Sequence, residues 1–250
     1  MSNEVIKKDT GSVALFGDDL QKGFENMTQE DMALPFVRIL GQLSPQVTDG
    51  DAKYIDGAKP GMIYNTVTSE CFDGKKGIKV IPCYYKKDFP EWSDRGDGPG
   101  APVAVHLPNS PVIATGKRDG SKIRLPNGNY LEETASYYVL VQTKAGGMTP
   151  ALITMKSTQL NVSKKWNSMM KTIQIPDGKG GMAIPPMHGV VYNLQSVLQK
   201  NDKGSWYGWS VTQDRIMGQE DKSLYLTAKD FNSSVAKGNV QTKADVEEKA

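Results

Sequence analysis

Three stretches of the chain set lysine or arginine beside aromatic rings. Tyr85, Lys86 and Lys87 are followed by Phe89 and Trp92, Lys117, Arg118, Lys122 and Arg124 form a second cluster, and Lys164 and Lys165 precede Trp166. Cations can track phosphates while rings stack on unpaired bases, so this interleaving suits a single-stranded nucleic acid. Any one of these rings serves a hydrophobic core equally well, with its lysines as a solvated face. The densest aromatic stretch is SWYGWS at 205–210, where strand alternation sets Tyr207, Trp209 and Val211 inward and turns Trp206 outward as a stacking platform. Trp166 is assigned to the core, because Leu160, Met169, Met170 and Ile173 complete a helical stripe with it. The candidate binding residues are therefore Tyr85, Lys86, Lys87, Trp92, Lys117, Arg118, Lys122, Arg124, Lys164, Lys165 and Trp206.

Other chemistries find less support. No GxxxxGK[ST] loop occurs, and the glycine-rich stretches GDGPG and DGKGG do not join a strand to a helix as a phosphate cradle does. His106 and His188 are the only histidines, and neither has a companion at metal-ligand or triad spacing. Asp177, Glu220 and Lys222 come nearest to a metal-dependent nuclease set, but Glu220 and Asp221 open a predicted helix, where acids complement the dipole. Cys71 and Cys83 match neither a redox pair nor a zinc site and are read as reduced thiols. The expectation is a binding protein with no catalytic residues, no metal and no cofactor.

The net charge is only +2, from 30 basic and 28 acidic residues, so a nucleic-acid site must be a local patch. With 25 glycines and 14 prolines, the chain favours turns and extended segments over a helical bundle. The polar opening MSNEVIKKDT and the lack of an apolar run of roughly 18 residues argue against a signal peptide or membrane anchor. A cytoplasmic location follows as an expectation.

These residues need a scaffold, and the pattern predicts one that is mainly β with α additions. Residues 1–27 show no sustained period and read as a mobile arm, and a short helix is predicted through 28–42, limited by Pro35. Strands are predicted at 62–68, 78–89, 137–143 and 151–157, followed by a helix after Ser157. A hairpin of strands 188–200 and 205–213, a helix ending at Gly238 and a frayed tail from 239 to 250 complete the pattern. The insertion at 90–136 should hold a hairpin around Asn127 and Gly128. Three strands, a helix and two strands is the order of an OB-fold, the partly open five-stranded barrel. The 62–68 strand, the insertion and the last helix are additions to it.

The runs GMIYNTVTSECFDGKKGIKVIPCYY, NYLEETASYYVLV and ALITMKSTQLNVSKKWNSMM resemble an uncharacterised family of small tailed-phage proteins, some of them described as single-stranded DNA-binding. The resemblance spans about residues 30–238. It implies an OB-like core, a role like that of T7-type phage single-stranded DNA-binding proteins, and partners among replication or recombination proteins. It implies no catalytic residues. The chain departs from that role at its end, ADVEEKA, where Lys243 and Lys249 dilute Asp245, Glu247 and Glu248. Two other classes stay open on motif grounds: a virion or assembly protein, and a non-enzymatic inhibitor or adaptor of a host protein. Self-association into a homo-oligomer is compatible with each.

Overall fold

The computed structural model describes residues 15, 17–19, 22–27, 31–94, 101–202 and 204–240. The chain divides into two units, residues 1–32 and 33–250. Of the first, the described part includes a 3-10 turn at Gly17–Asp19, with Lys22 Nζ 2.5 Å from Asp19 Oδ1. The predicted arm falls largely outside the described residues, as do positions 241–250 of the predicted tail.

In the second unit the strands are β1 (Val37–Ile39), β2 (Ile63–Asn65), β3 (Cys71–Phe72), β4 (Ile78–Trp92) and β5 (Ala104–His106). Helix α1 (Pro111–Thr115) precedes β6 (Lys117–Asp119), β7 (Lys122–Arg124), β8 (Tyr130–Glu132), β9 (Thr134–Gln142) and β10 (Met148–Lys156). Then come α2 (Leu160–Thr172), the small pair β11 (Ile175–Pro176) and β12 (Met182–Ala183), the long hairpin β13 (Val190–Asn201) and β14 (Gly204–Ile216), and α3 (Lys222–Ala236). The protein is mainly β, with a curled half-barrel sheet and a C-terminal helix. Among the described residues, no helix is long and apolar enough to cross a membrane.

The half-barrel follows the order β10-β9-β4-β13-β14, every neighbouring pair antiparallel. In OB terms the first strand is central, the second and fourth flank it, and the third and fifth form the two edges. Pro82 lacks an N–H for the ladder, and the register of β4 against β9 shifts just there, between Pro82 and Tyr84. Strand alternation gives the sheet two apolar faces, and each is covered. On the inner face Val80, Tyr137, Val139, Ile153, Tyr192 and Leu194 pack with Trp166 and Met170 of α2. On the outer face Ile81, Cys83, Tyr138, Leu140 and Leu152 pack with Ala228, Phe231 and Val235 of α3.

The predicted helix through 28–42 does not form at 33–42. Phe36 makes a parallel bridge to Leu152 on the edge of β10, the carbonyl of Pro35 accepts from the Leu152 N–H at 2.8 Å, and β1 pairs with β2. Pro35 forbids helix continuation, and the alternation in FVRI matches a strand that buries Val37 in the inner core. This segment also lies against β14, so it fills the seam between the two edge strands of the half-barrel.

Candidate nucleic-acid interface

β4 runs three residues beyond its predicted end, and this extension builds the site. The pairing of Lys86 with Ser136 and Asp88 with Thr134 continues in unbroken register as Glu91 with Leu131 and Trp92 with Tyr130. Next to β8, β7 sets Arg124 opposite Tyr130, and β6 sets Lys117 opposite Arg124. Alternation then places Trp92, Tyr130, Arg124 and Lys117 on one face of this arm, with Lys86 further along the same face. Lys122, two residues from Arg124, shares it.

Two clusters separated by some 25 residues of sequence are thus brought together around Tyr130, a residue that the basic-aromatic pattern had passed over. Lys122 Nζ lies 3.6 Å from the centre of the Tyr130 ring and the Arg124 guanidinium 5.5 Å from it, both cation–π contacts. Arg124 also bonds Asp94 at 3.1 Å and Asp119 at 3.4 Å. Further along, Lys86 pairs with Asp88 at 3.1 Å and Lys156 with Glu132 at 3.1 Å. The Arg124 pairs are exposed on both sides and worth about 0–1 kcal/mol, so a phosphate can replace those carboxylates at little cost, whereas Asp88 and Glu132 are largely buried. Lys117 makes no ion pair among the described residues. The Trp92 ring is half-buried, and its Nε1 is covered without a hydrogen-bond partner among the described residues.

The opposite face of the arm holds its own small core of Phe89, Ile123, Leu125 and Leu131. The expected hairpin is present, with Gly128 at φ +89°, a left-handed turn that glycine adopts without a Cβ clash. Beside this core lies Glu91, which is 6 % exposed. Its Oε2 is 2.7 Å from His106 Nε2, and its Oε1 accepts from Asn129 at 2.6 Å and Asn127 at 3.1 Å. The hydrogen bond from Asn129, then that from His106, holds the Glu91 carboxyl below the usual carboxylate range.

The remaining predicted residues lie elsewhere. Tyr85 and Lys87 take the inner-face positions of β4: Tyr85 packs on Tyr137, and Lys87 bonds Glu133 at 2.6 Å, so Lys86 and Lys87 do not form one track. Arg118 occupies the opposite parity of β6 from Lys117. Lys164 and Lys165 are exposed on α2, while Trp166 is fully buried, stacked on Tyr137 at 4.3 Å and edge-on to Tyr192 at 5.6 Å. Trp209 and Val211 join the inner core as expected. Trp206 is half-buried rather than an open platform, and lines a cleft of about 360 Å³ with Ile39, Leu40 and Leu43 beside the seam. It lies on the hairpin that turns beyond the start of β4, whereas the arm grows from the end of that strand.

The outer face of β9 and β10, the usual ligand surface of an OB-fold, is occupied in its middle by α3. Asn232 of that helix donates to the carbonyl of Cys83 at 2.6 Å. What stays open at the arm end is the polar continuation through Lys86, Lys156 and Trp92. Of the acids considered for metal chemistry, Asp177 accepts from the N–H groups of Lys179 and Gly181, and Asp221, beside Glu220, pairs with Arg215.

Comparison with known proteins gives one match. The model of a family described as Pam3 phage gp34-like protein matches residues 7–241. No curated protein and no solved structure matches the chain.

Proposed function

The chain belongs to the Pam3 phage gp34-like family, and we propose that it is a single-stranded DNA-binding accessory protein of phage replication or recombination. In this reading it fills the role of T7-type phage single-stranded DNA-binding proteins and has no catalytic centre. The observation that carries the reading is the arm face, where Trp92 and Tyr130 stand on paired strands among Lys117, Lys122 and Arg124. Rings at this spacing stack on bases freed from pairing, and the cations meet the phosphates between them. Because α3 occupies the middle of the outer face, the strand's path runs over the arm and the adjoining Lys86 and Lys156.

Fluorescence anisotropy with labelled oligonucleotides, single and double stranded, at two salt concentrations tests the proposal. Single strands should bind in preference to duplex, with an affinity that falls as salt rises. Equal affinity for both forms, or none at low salt, would remove it.

A further inference from the structure

A carboxylate inside a small apolar core is costly unless every lone pair is used. Leu131 stands directly opposite Glu91 and is fully buried, so an aliphatic side chain fits this layer of the arm. The carboxylate does something leucine cannot. It reaches His106 on β5 and both residues flanking Gly128 in the turn between β7 and β8, while its own carbonyl accepts from the Val103 N–H at 2.7 Å. Two segments far apart in sequence, 103–106 and 127–129, are thereby fastened to one position of β4, and the next residue along that strand is Trp92.

We infer that Glu91, through His106, Asn127 and Asn129, is the positioning residue that holds Trp92, Tyr130 and Arg124 on one face of the arm. The turn carrying Asn127 and Asn129 fixes where β8 begins. Asn129 N–H bonds Asn127 Oδ1 at 3.0 Å, and the Leu125 N–H bonds the Asn129 carbonyl at 2.9 Å, so the turn moves as a unit with the carboxylate. Tyr130 follows it immediately and takes its station opposite Trp92. A face of short strands three residues long has few ladder bonds of its own, and the buried network supplies the missing order.

The DNA consequence rests on the reading of this face given above, whereas the structural one does not. The test uses the full chain well below the unfolding temperature of each variant. Backbone hydrogen exchange across residues 122–132 reports the arm, and anisotropy with fluorescein-labelled oligothymidine reports binding. Glu91→Ala leaves several donors unmatched, and exchange in β7 and β8 should rise by up to about 100-fold while β9 and β13 keep their protection. Affinity for oligothymidine should fall about tenfold. Glu91→Gln, whose carbonyl can accept both asparagine amides, should restore both readouts. Unchanged exchange in the arm of Glu91→Ala overturns the inference, and so does a rise shared equally by β9 and β13. Faster exchange confined to the arm with undiminished affinity upholds Glu91 as positioning residue and overturns the arm face as the DNA site.

Discussion

Helix α2 and the β4 arm begin from the same kind of sequence, lysines beside a tryptophan, and end in opposite places. Trp166 is sealed between Tyr137 and Tyr192 under the curled sheet, with Lys164 and Lys165 left on the solvent side of the helix. Trp92 stands on a strand that outruns the covered part of its sheet, and its neighbours across the ladder are Tyr130 and then Arg124. The difference lies in what covers each ring. A helix laid on a curved sheet must spend its largest apolar side chain on that sheet, whereas an arm with only Phe89, Ile123, Leu125 and Leu131 to bury has rings to spare on its other face.

The contrast breaks first on stability. Trp166→Ala should cost about 3 to 5 kcal/mol of folding free energy, read by thermal or urea unfolding, and should leave oligonucleotide affinity unchanged in the fraction that is folded. Weakened binding in a stable Trp166→Ala protein would move the site to α2. Next in size, Tyr130→Ala should weaken single-strand binding by about 1 to 3 kcal/mol in an anisotropy titration, with a smaller loss of stability. Salt dependence sharpens the picture further. Lys117→Ala should reduce the slope of log affinity against log salt by about 0.7, the expectation for one phosphate contact to a single strand. The smallest effect is reserved for the double variant Lys164→Ala, Lys165→Ala, where the slope should not change; a shallower slope there would place α2 on the strand's path.

Much of the scaffold was legible because its elements are long and obey one period. The strands predicted at 78–89, 137–143, 151–157, 188–200 and 205–213 all occur, with ends displaced by a few residues, and the helix after Ser157 and the C-terminal helix stand where their apolar stripes placed them, although neither Ser157 nor Thr158 caps α2 with its side chain. The segment at 33–42 misled through TQEDM, which resembles a helix start, while Pro35 and the edge of β10 decide the outcome. The candidate face was legible in part. Trp92, Lys117, Lys122 and Arg124 stood out by type, but their meeting depends on the register of three short strands, which no local pattern states. Tyr130 was recoverable in principle, since the hairpin at Asn127 and Gly128 and strict alternation would have set it across from Arg124. That Lys86 and Lys87 part company follows from alternation within the predicted strand alone, whereas which of them joins the arm face is set by the irregularity at Pro82.

The seam between β10 and β14 has a consequence for the order of assembly. Phe36 and Val37 leave the ribosome early, yet the edge they cover includes Leu152, more than a hundred residues later. At ordinary elongation rates that is a delay of about 6 to 20 s. During this interval the Phe36 segment can pair with β2 but not with the edge of β10, and a contact of such long range closes slowly even once both halves exist. The segment therefore acts as a late-fitting closure, and the nascent chain exposes an apolar strand for seconds before its place in the fold has been made.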